Sequence, residues 1–126
     1  MTKLESQIEQ FEKSVKRLEE VLKQEKNDFM RDSSIQRFEI AMDLAWKVLK
    51  SILEEKDNVV VHSPTSAFRE AYKQGYLDND GDWITFMKMR NETAHIYKEE
   101  MADEVYTKLP VVLGKLRNLL QNLKLR

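Results

Sequence analysis

The chain has 126 residues, of which 41% are hydrophobic and 34% are charged, with a formal net charge of −1. This length predicts a single domain, residues 1–126, with a substantial core. A net charge near zero gives the chain no overall attraction for nucleic acid, although a local basic patch can still bind it. The absence of cysteine excludes disulfides and thiolate metal sites and agrees with a reducing, cytoplasmic location. No stretch approaches the roughly 20 apolar residues of a membrane-spanning helix.

Apolar spacing predicts a long helix at each end of the chain. The first covers residues 2–26 and the last runs from about Glu99 to Leu123, each with apolar residues spaced alternately by four and three. Such a seam is typical of a helix packed in a bundle, and a dimerising coiled coil is the alternative. Pro110 removes one backbone hydrogen bond inside the last helix and predicts a kink. The seam residues are Leu4, Ile8, Phe11, Val15, Leu18 and Leu22 in the first helix and Val105, Leu109, Val112, Leu116, Leu119 and Leu123 in the last.

The second helix is predicted from about Ser34 to Lys56, with Asp32 or Ser33 as its N-terminal cap. Its apolar residues cover more than half of its circumference. A helix with this pattern contacts neighbours on two sides. We therefore expect it at the centre of the bundle or at a subunit interface.

A short third helix is predicted from Pro64 to about Gln74. Ser63 is placed to cap it, and proline suits the first helical position because its missing N–H would have no partner there. Gly75 is placed to end the helix in a left-handed conformation.

The fourth helix is predicted to begin near Trp83, with Asp82 as its cap, and to fray or bend between His95 and Tyr97. Counted from Asp78, the loop before it has acidic residues at positions 1, 3 and 5 of a calcium-binding EF-hand loop. Its glycine, however, falls at position four rather than six, and Met89 at position twelve cannot bind calcium, so no metal site is predicted. Together the elements predict an all-α fold, an up-and-down antiparallel helical bundle of four long helices plus one short helix.

The residues suited to chemistry lie between Arg90 and Tyr97. On a regular helix Asn91 and His95 share a face, whereas Arg90 lies about 140° from His95 around the axis. Arg90 and His95 converge only where the helix opens or the arginine side chain wraps around it. A converged pair suits RNA cleavage without a metal, because imidazole can deprotonate a ribose 2′-OH and a guanidinium can stabilise the charged phosphate.

The same spacing also has a purely structural interpretation. In that interpretation His95 forms a hydrogen bond across the bundle, Arg90 pairs with an acidic neighbour and Tyr97 packs. RNA cleavage needs both a base and an acid, and the segment from Arg90 to Tyr97 supplies only one histidine per chain, so the nuclease hypothesis predicts a symmetric dimer.

The order and spacing of several motifs resemble a known family, and the likeness spans roughly residues 5 to 120. The chain resembles the HEPN superfamily, and within it the branch of nucleotidyltransferase substrate-binding proteins. The residues that carry the resemblance are Gln36-Arg37-Phe38-Glu39, Leu44-Ala45-Trp46-Lys47-Val48-Leu49, Ser63-Pro64, Phe68-Arg69-Glu70-Ala71, Gly75, Trp83 and Arg90-Asn91-Glu92-Thr93-Ala94-His95-Ile96-Tyr97.

The resemblance implies a dimeric helical bundle that binds a separate, minimal nucleotidyltransferase. In many HEPN proteins an arginine followed four to six residues later by histidine is an RNA-cleaving site, which Arg90 and His95 match. Asn91 fills the commonly polar second position of that motif. In toxin–antitoxin members the tyrosine two residues after the histidine receives AMP from the partner, and Tyr97 matches it.

Two functional hypotheses from different classes follow. In the first, the chain is a metal-independent ribonuclease of a toxin–antitoxin-like pair, and Tyr97 is the residue through which it is silenced. In the second, it is a non-catalytic subunit that docks a nucleotidyltransferase and presents its substrate. Arg37 and Glu39 are candidates for supporting the site, and no cofactor is predicted. The second helix and the segment around His95 are the predicted dimer interface.

Overall fold

The structure is a computed structural model that describes residues 1–126, and it consists of five α-helices and one 3₁₀ turn. No strand is present, which confirms the predicted all-α helical bundle. The helices are α1 (Lys3–Leu22), α2 (Asp28–Asp57), α3 (Pro64–Lys73), α4 (Asp80–Glu92) and α5 (Glu99–Lys124), and the 3₁₀ turn is Thr93–His95.

Helix α2 is the centre of the bundle, because it packs against each of the other four helices. Its buried side chains belong to one core of 28 buried residues that draws on all five helices. The broad apolar surface of α2 therefore reflects a central position, one of the two expected from the sequence. No helix is both long and apolar enough to cross a membrane.

Helix α2 begins six residues earlier than predicted, so the proposed caps Asp32 and Ser33 are wrong. The cap is Asn27, whose side chain accepts a hydrogen bond from the backbone N–H of Met30 at 2.8 Å. The apolar pattern breaks in this first turn because the buried positions hold polar residues, Arg31 and Ser34. Arg31 is buried although it is charged, because carboxylates surround its guanidinium.

Helix α4 also begins earlier than predicted, at Asp80, and its cap is Asn79 rather than Asp82. The Asn79 side chain accepts from the backbone N–H of Asp82 at 3.0 Å. Asp78 and Asp82 in turn lie 3.0 and 3.5 Å from the ammonium group of Lys115 on α5. The acidic loop therefore forms ion pairs that hold the start of α4 beside α5.

The predicted ends of α3 are confirmed. The Ser63 side chain caps its start by accepting from the backbone N–H of Ser66, and Pro64 occupies the first turn. Gly75 follows the helix with φ of +84°, a left-handed conformation that suits glycine because it has no Cβ. This arrangement sets the position of α4, which packs against α3.

Candidate functional site

The site is organised around Arg90, which leaves α4 and reaches the acidic side of α2. Its Nε and Nη2 atoms donate to the two carboxylate oxygens of Asp43 at 2.9 and 3.0 Å. Its Nη1 atom donates to Oε2 of Glu39 at 3.2 Å. Glu39 and Asp43 are four residues apart on α2 and so share one face. The two acids hold the end of α4 against the central helix.

Arg90 is not saturated by these contacts. A guanidinium has five N–H donors, and the three bonds to Asp43 and Glu39 leave two of them unused. The Arg90 side chain is 24% exposed, so solvent reaches part of it. Hydrogen bonds to Asp43, opposed by partial burial and helped by the charge of Glu39, raise the pKa of Arg90 above its ordinary value. Its positive charge is therefore permanent.

Thr93 connects the same network to the histidine. Its Oγ1 lies 2.6 Å from Oε2 of Glu39 and 2.6 Å from the backbone carbonyl of Arg90. A hydroxyl has one proton, and the charged carboxylate is the stronger of the two acceptors. Thr93 is also the first residue of the 3₁₀ turn that ends at His95. Glu39 thus holds both Arg90 and the turn that carries His95.

His95 is exposed and lines a shallow depression of its own, apart from the Arg90 network. The depression has a volume of about 440 Å³ and lies between the start of α3 and the outer face of α4. Polar groups of Thr65, Lys88, Asn91 and Glu92 line it together with His95. The prediction that Asn91 and His95 share a face is therefore confirmed.

Within one chain the structure does not bring Arg90 and His95 into one depression. Helix α4 opens after Glu92 into the 3₁₀ turn, as expected, and the backbone at Ile96 is extended. However, the Arg90 guanidinium turns towards α2, whereas His95 lies on the side of α3. The physical reason is that Asp43 on α2 can accept two hydrogen bonds from the Arg90 guanidinium, whereas an imidazole cannot form such a bidentate contact.

Tyr97 stands on the outer surface of the segment between the 3₁₀ turn and α5. Its side chain is 84% exposed. It borders a separate depression of about 280 Å³ that Arg31, Asp32, Thr93 and Lys98 also line. The phenol is thus accessible to another molecule, rather than packed as the structural interpretation of the sequence had it.

The floor of this second depression contains Arg31, which is only 3% exposed. Its Nη2 lies 2.5 Å from Glu99, its Nε 3.0 Å from Asp32 and its Nη1 3.3 Å from Asp103. A fourth carboxylate, that of Asp28, lies 3.6 Å from Nη1. These contacts join the first turn of α2 to the first turn of α5.

The two candidate supporting residues lie in different places. Glu39 contacts Arg90 and Thr93, as described above. Arg37 is two positions away on α2 and lies on the side of α1, in a depression that Arg17 and Glu20 also line. Arg37 therefore lies apart from the Arg90 network.

Sequence reasoning missed three residues of the site. Asp43 accepts hydrogen bonds from Arg90, and Thr93 donates one to Glu39. Lys88 lines the His95 depression. The helical spacing of Asp43 and Lys88 relative to the predicted site residues could have identified both of them. Asp43 follows Glu39 by four residues, and Lys88 precedes Asn91 by three and His95 by seven, which are same-face helical spacings.

Residues 6–125 match the family described as nucleotidyltransferase substrate binding protein like. The chain belongs to this family. The match covers nearly the whole chain and confirms the resemblance inferred from the sequence.

Individual relatives agree with that membership. The chain is 29% identical over 103 residues to the probable ribonuclease HepT of Haemophilus influenzae, covering 79% of this chain and 70% of that protein. A solved structure from Thermus thermophilus matches with a TM-score of 0.84 at 29% identity, covering 90% of this chain and 98% of that one. A tri-AMPylated HEPN toxin of Shewanella oneidensis, solved in complex with an MNT antitoxin, matches over 100% of both chains with a TM-score of 0.79 at 18% identity. At that identity the likeness is one of fold.

Proposed function

We propose that this chain is the HEPN-type subunit of a two-component nucleotidyltransferase/HEPN system and that it cleaves RNA without a metal as a homodimer. The observation that carries the proposal is the exposed His95 on a turn that Thr93, Glu39 and Arg90 hold to the central helix. A side chain that moves protons needs both access to substrate and a fixed position. The relative named as a probable ribonuclease supports the same activity.

The chemistry needs one base and one acid. His95 of one copy removes the proton of a ribose 2′-OH, and the oxygen attacks the adjacent phosphorus. The bond from phosphorus to the 5′-oxygen breaks, leaving a 2′,3′-cyclic phosphate, and His95 of the second copy protonates the departing oxygen. Arg90 faces α2 rather than the His95 depression, so its part in this reaction is to hold the end of α4 and the turn of His95 in position.

A surface suited to the second copy lies beside this site. Two adjoining depressions, of about 390 and 90 Å³, form a groove between α4 and α5. Val111 and Met101 on its α5 side are 63% and 40% exposed. Glu92 borders both depressions and also the His95 depression, so a copy seated in the groove lies next to His95. Helix α2 offers less apolar surface to a second copy, because the other helices cover most of it.

The proposal includes a nucleotidyltransferase partner and a role for Tyr97. The fold neighbour from Shewanella oneidensis is AMPylated and bound to its antitoxin. Tyr97 is exposed enough to enter the active site of another protein. Transfer of AMP from ATP to the phenol oxygen, with release of pyrophosphate, would place a bulky anionic group two residues from His95 and would hinder RNA from reaching it.

The experiment that tests this function is cleavage of total RNA by purified protein in EDTA. His95→Ala is the test variant and His62→Ala is its matched control, because His62 is the only other histidine and is also exposed. We expect wild type and His62→Ala to cleave at similar rates and His95→Ala to lose about 10²-fold or more. Equal rates in all three proteins would contradict the proposal.

The second candidate function is a non-catalytic subunit that presents substrate to the nucleotidyltransferase. The family description favours it, because that description refers to substrate binding. It predicts no cleavage by any variant and unimpaired partner binding by His95→Ala.

Mass spectrometry of Tyr97 must accompany a negative result, because an AMPylated wild type would also be inactive. Light scattering that shows a monomer at micromolar concentration would exclude the paired-histidine mechanism.

A further inference from the structure

The Arg90 network does not supply net positive charge to the proposed ribonuclease site. One guanidinium faces two carboxylates, Glu39 and Asp43, so this cluster carries a net charge of −1. An RNA phosphate that approached it alone would meet a negative field on average. Since phosphate contacts by lysine and arginine supply most of the affinity for nucleic acid, the site needs another cation.

Lys88 lies where that cation is needed. It is exposed, it forms none of the salt bridges of the structure, and it lines the same depression as His95. Lys88 also borders the groove proposed for the second copy, so it lies where that groove meets the His95 depression. Lys88, Asn91 and His95 stand at positions i, i+3 and i+7, so their side chains follow one face of α4 and its 3₁₀ extension. The other charged group in the depression is Glu92, one turn from Lys88 and without a salt bridge to it.

We propose that Lys88 binds a backbone phosphate of the RNA that His95 cleaves; this inference rests on the proposed ribonuclease function. Lysine is a flexible point charge that contacts phosphate without reading the base. The amide of Asn91 and the hydroxyl of Thr65 add hydrogen-bond donors within the same depression of about 440 Å³. Arg90 then acts mainly by holding the end of α4 to α2, and Lys88 supplies the positive charge that meets the substrate.

The test compares Lys88→Gln with Lys88→Arg, which keeps the charge, and with Lys13→Gln, a matched control on α1. Lys13 is 73% exposed and pairs only with Glu9, and α1 makes no substantial contact with α4. Two readouts are measured: steady-state cleavage of a short single-stranded RNA in EDTA, and fluorescence anisotropy of the same RNA with each substitution placed in the His95→Ala background.

We expect Lys88→Gln to raise KM and the dissociation constant roughly three- to tenfold, with kcat nearly unchanged. The slope of log affinity against log salt should become shallower by about 0.7, the loss of one phosphate contact in a single strand. Lys88→Arg should restore most of the affinity, and Lys13→Gln should behave as wild type.

The possible results separate this inference from the proposed function. If wild type cleaves RNA and Lys88→Gln matches it in KM, affinity and salt slope, the Lys88 inference fails and the ribonuclease stands. An equal loss in Lys13→Gln would also overturn it, because the effect would then be one of net charge. If wild type neither cleaves nor binds RNA, both fail. Weaker binding by Lys88→Gln without any cleavage would support the phosphate contact and reject the nuclease.

Discussion

Two arginines, Arg31 and Arg90, occupy similar acidic surroundings but differ in how far solvent can reach them. Arg31 is 3% exposed and has four carboxylates around it, on the first turns of α2 and α5. Arg90 has two carboxylates, an exposed fraction of 24% and two unused N–H donors. The first arrangement uses the guanidinium to join helices. The second joins helices and also leaves part of the guanidinium side chain accessible.

The comparison shows that an ion pair does not by itself separate a structural arginine from a functional one. Both guanidinium groups keep N–H donors that form no hydrogen bond, so what separates them is whether solvent can reach them, since Arg31 is 3% exposed and the Arg90 side chain is 24% exposed. The positions of the two arginines differ in the same sense, because the Arg90 network extends through Glu39 and Thr93 to the turn of His95. The carboxylates of the Arg31 network are 45–78% exposed, and one of them, Asp103, also pairs with Lys26 at 3.0 Å. None of them lines the His95 depression.

The largest expected difference is in RNA cleavage. Arg90→Met should lower kcat/KM about 10²-fold, because it removes the contacts that hold the end of α4, and with it the turn of His95, to α2. Arg31→Met should change kcat/KM less than about threefold in protein that is folded at the assay temperature. The measurement is initial-rate cleavage in EDTA, with circular dichroism to verify folding. Equal losses in both variants would remove the distinction between the two arginines.

The second expected difference is in thermal stability. Arg31→Met should lower the melting temperature by roughly 5 to 10 °C at pH 7, because four carboxylates lose their common partner and repel one another. The same scan with Arg90→Met should show a smaller decrease, since only two carboxylates are left unpaired and Asp43 is 40% exposed.

The difference in melting temperature between wild type and Arg31→Met should also depend on pH. The hydrogen bond from Lys26 has the largest effect on Asp103 and lowers its pKa below the ordinary value. Arg31 lowers the pKa of Asp103 further, whereas burial opposes both effects. A carboxylate with a lowered pKa stabilises the folded state above the pKa of the unfolded chain, near 4, and this contribution is lost as the pH falls through the folded pKa. The gap in melting temperature between wild type and Arg31→Met should therefore narrow below about pH 4. A constant gap from pH 7 to pH 3 would contradict the network described here.

The smallest expected effect concerns Thr93. Thr93→Val keeps the shape of the side chain but removes the hydroxyl that donates to Glu39, so the turn that carries His95 loses one anchor. We expect kcat to fall roughly three- to tenfold with little change in KM. Thr93→Ser retains the hydroxyl and should stay close to wild type. If valine and serine are equally active, Thr93 does not position His95.

Much of the architecture was predictable from the sequence because it depends on local chemistry. The seam residues of α1 and α5, the cap at Ser63 and the left-handed Gly75 each follow from spacing or from the conformational preference of one residue. The starts of α2 and α4 were not predicted, because two asparagines compete with nearby aspartates and serine as caps. A buried arginine in the first turn of α2 further concealed the helical pattern.

The sequence by itself determined the helical class and the family, because helical periodicity and the order of motifs can be read along the chain. The tertiary structure decided how the candidate site residues combine. Only the packing of α4 on α2 shows that Arg90 is held by Asp43 and Glu39, and only the approach of α3 creates the depression in which Lys88 accompanies His95. The physical reason is that ion pairs and depressions form between residues that are distant along the chain.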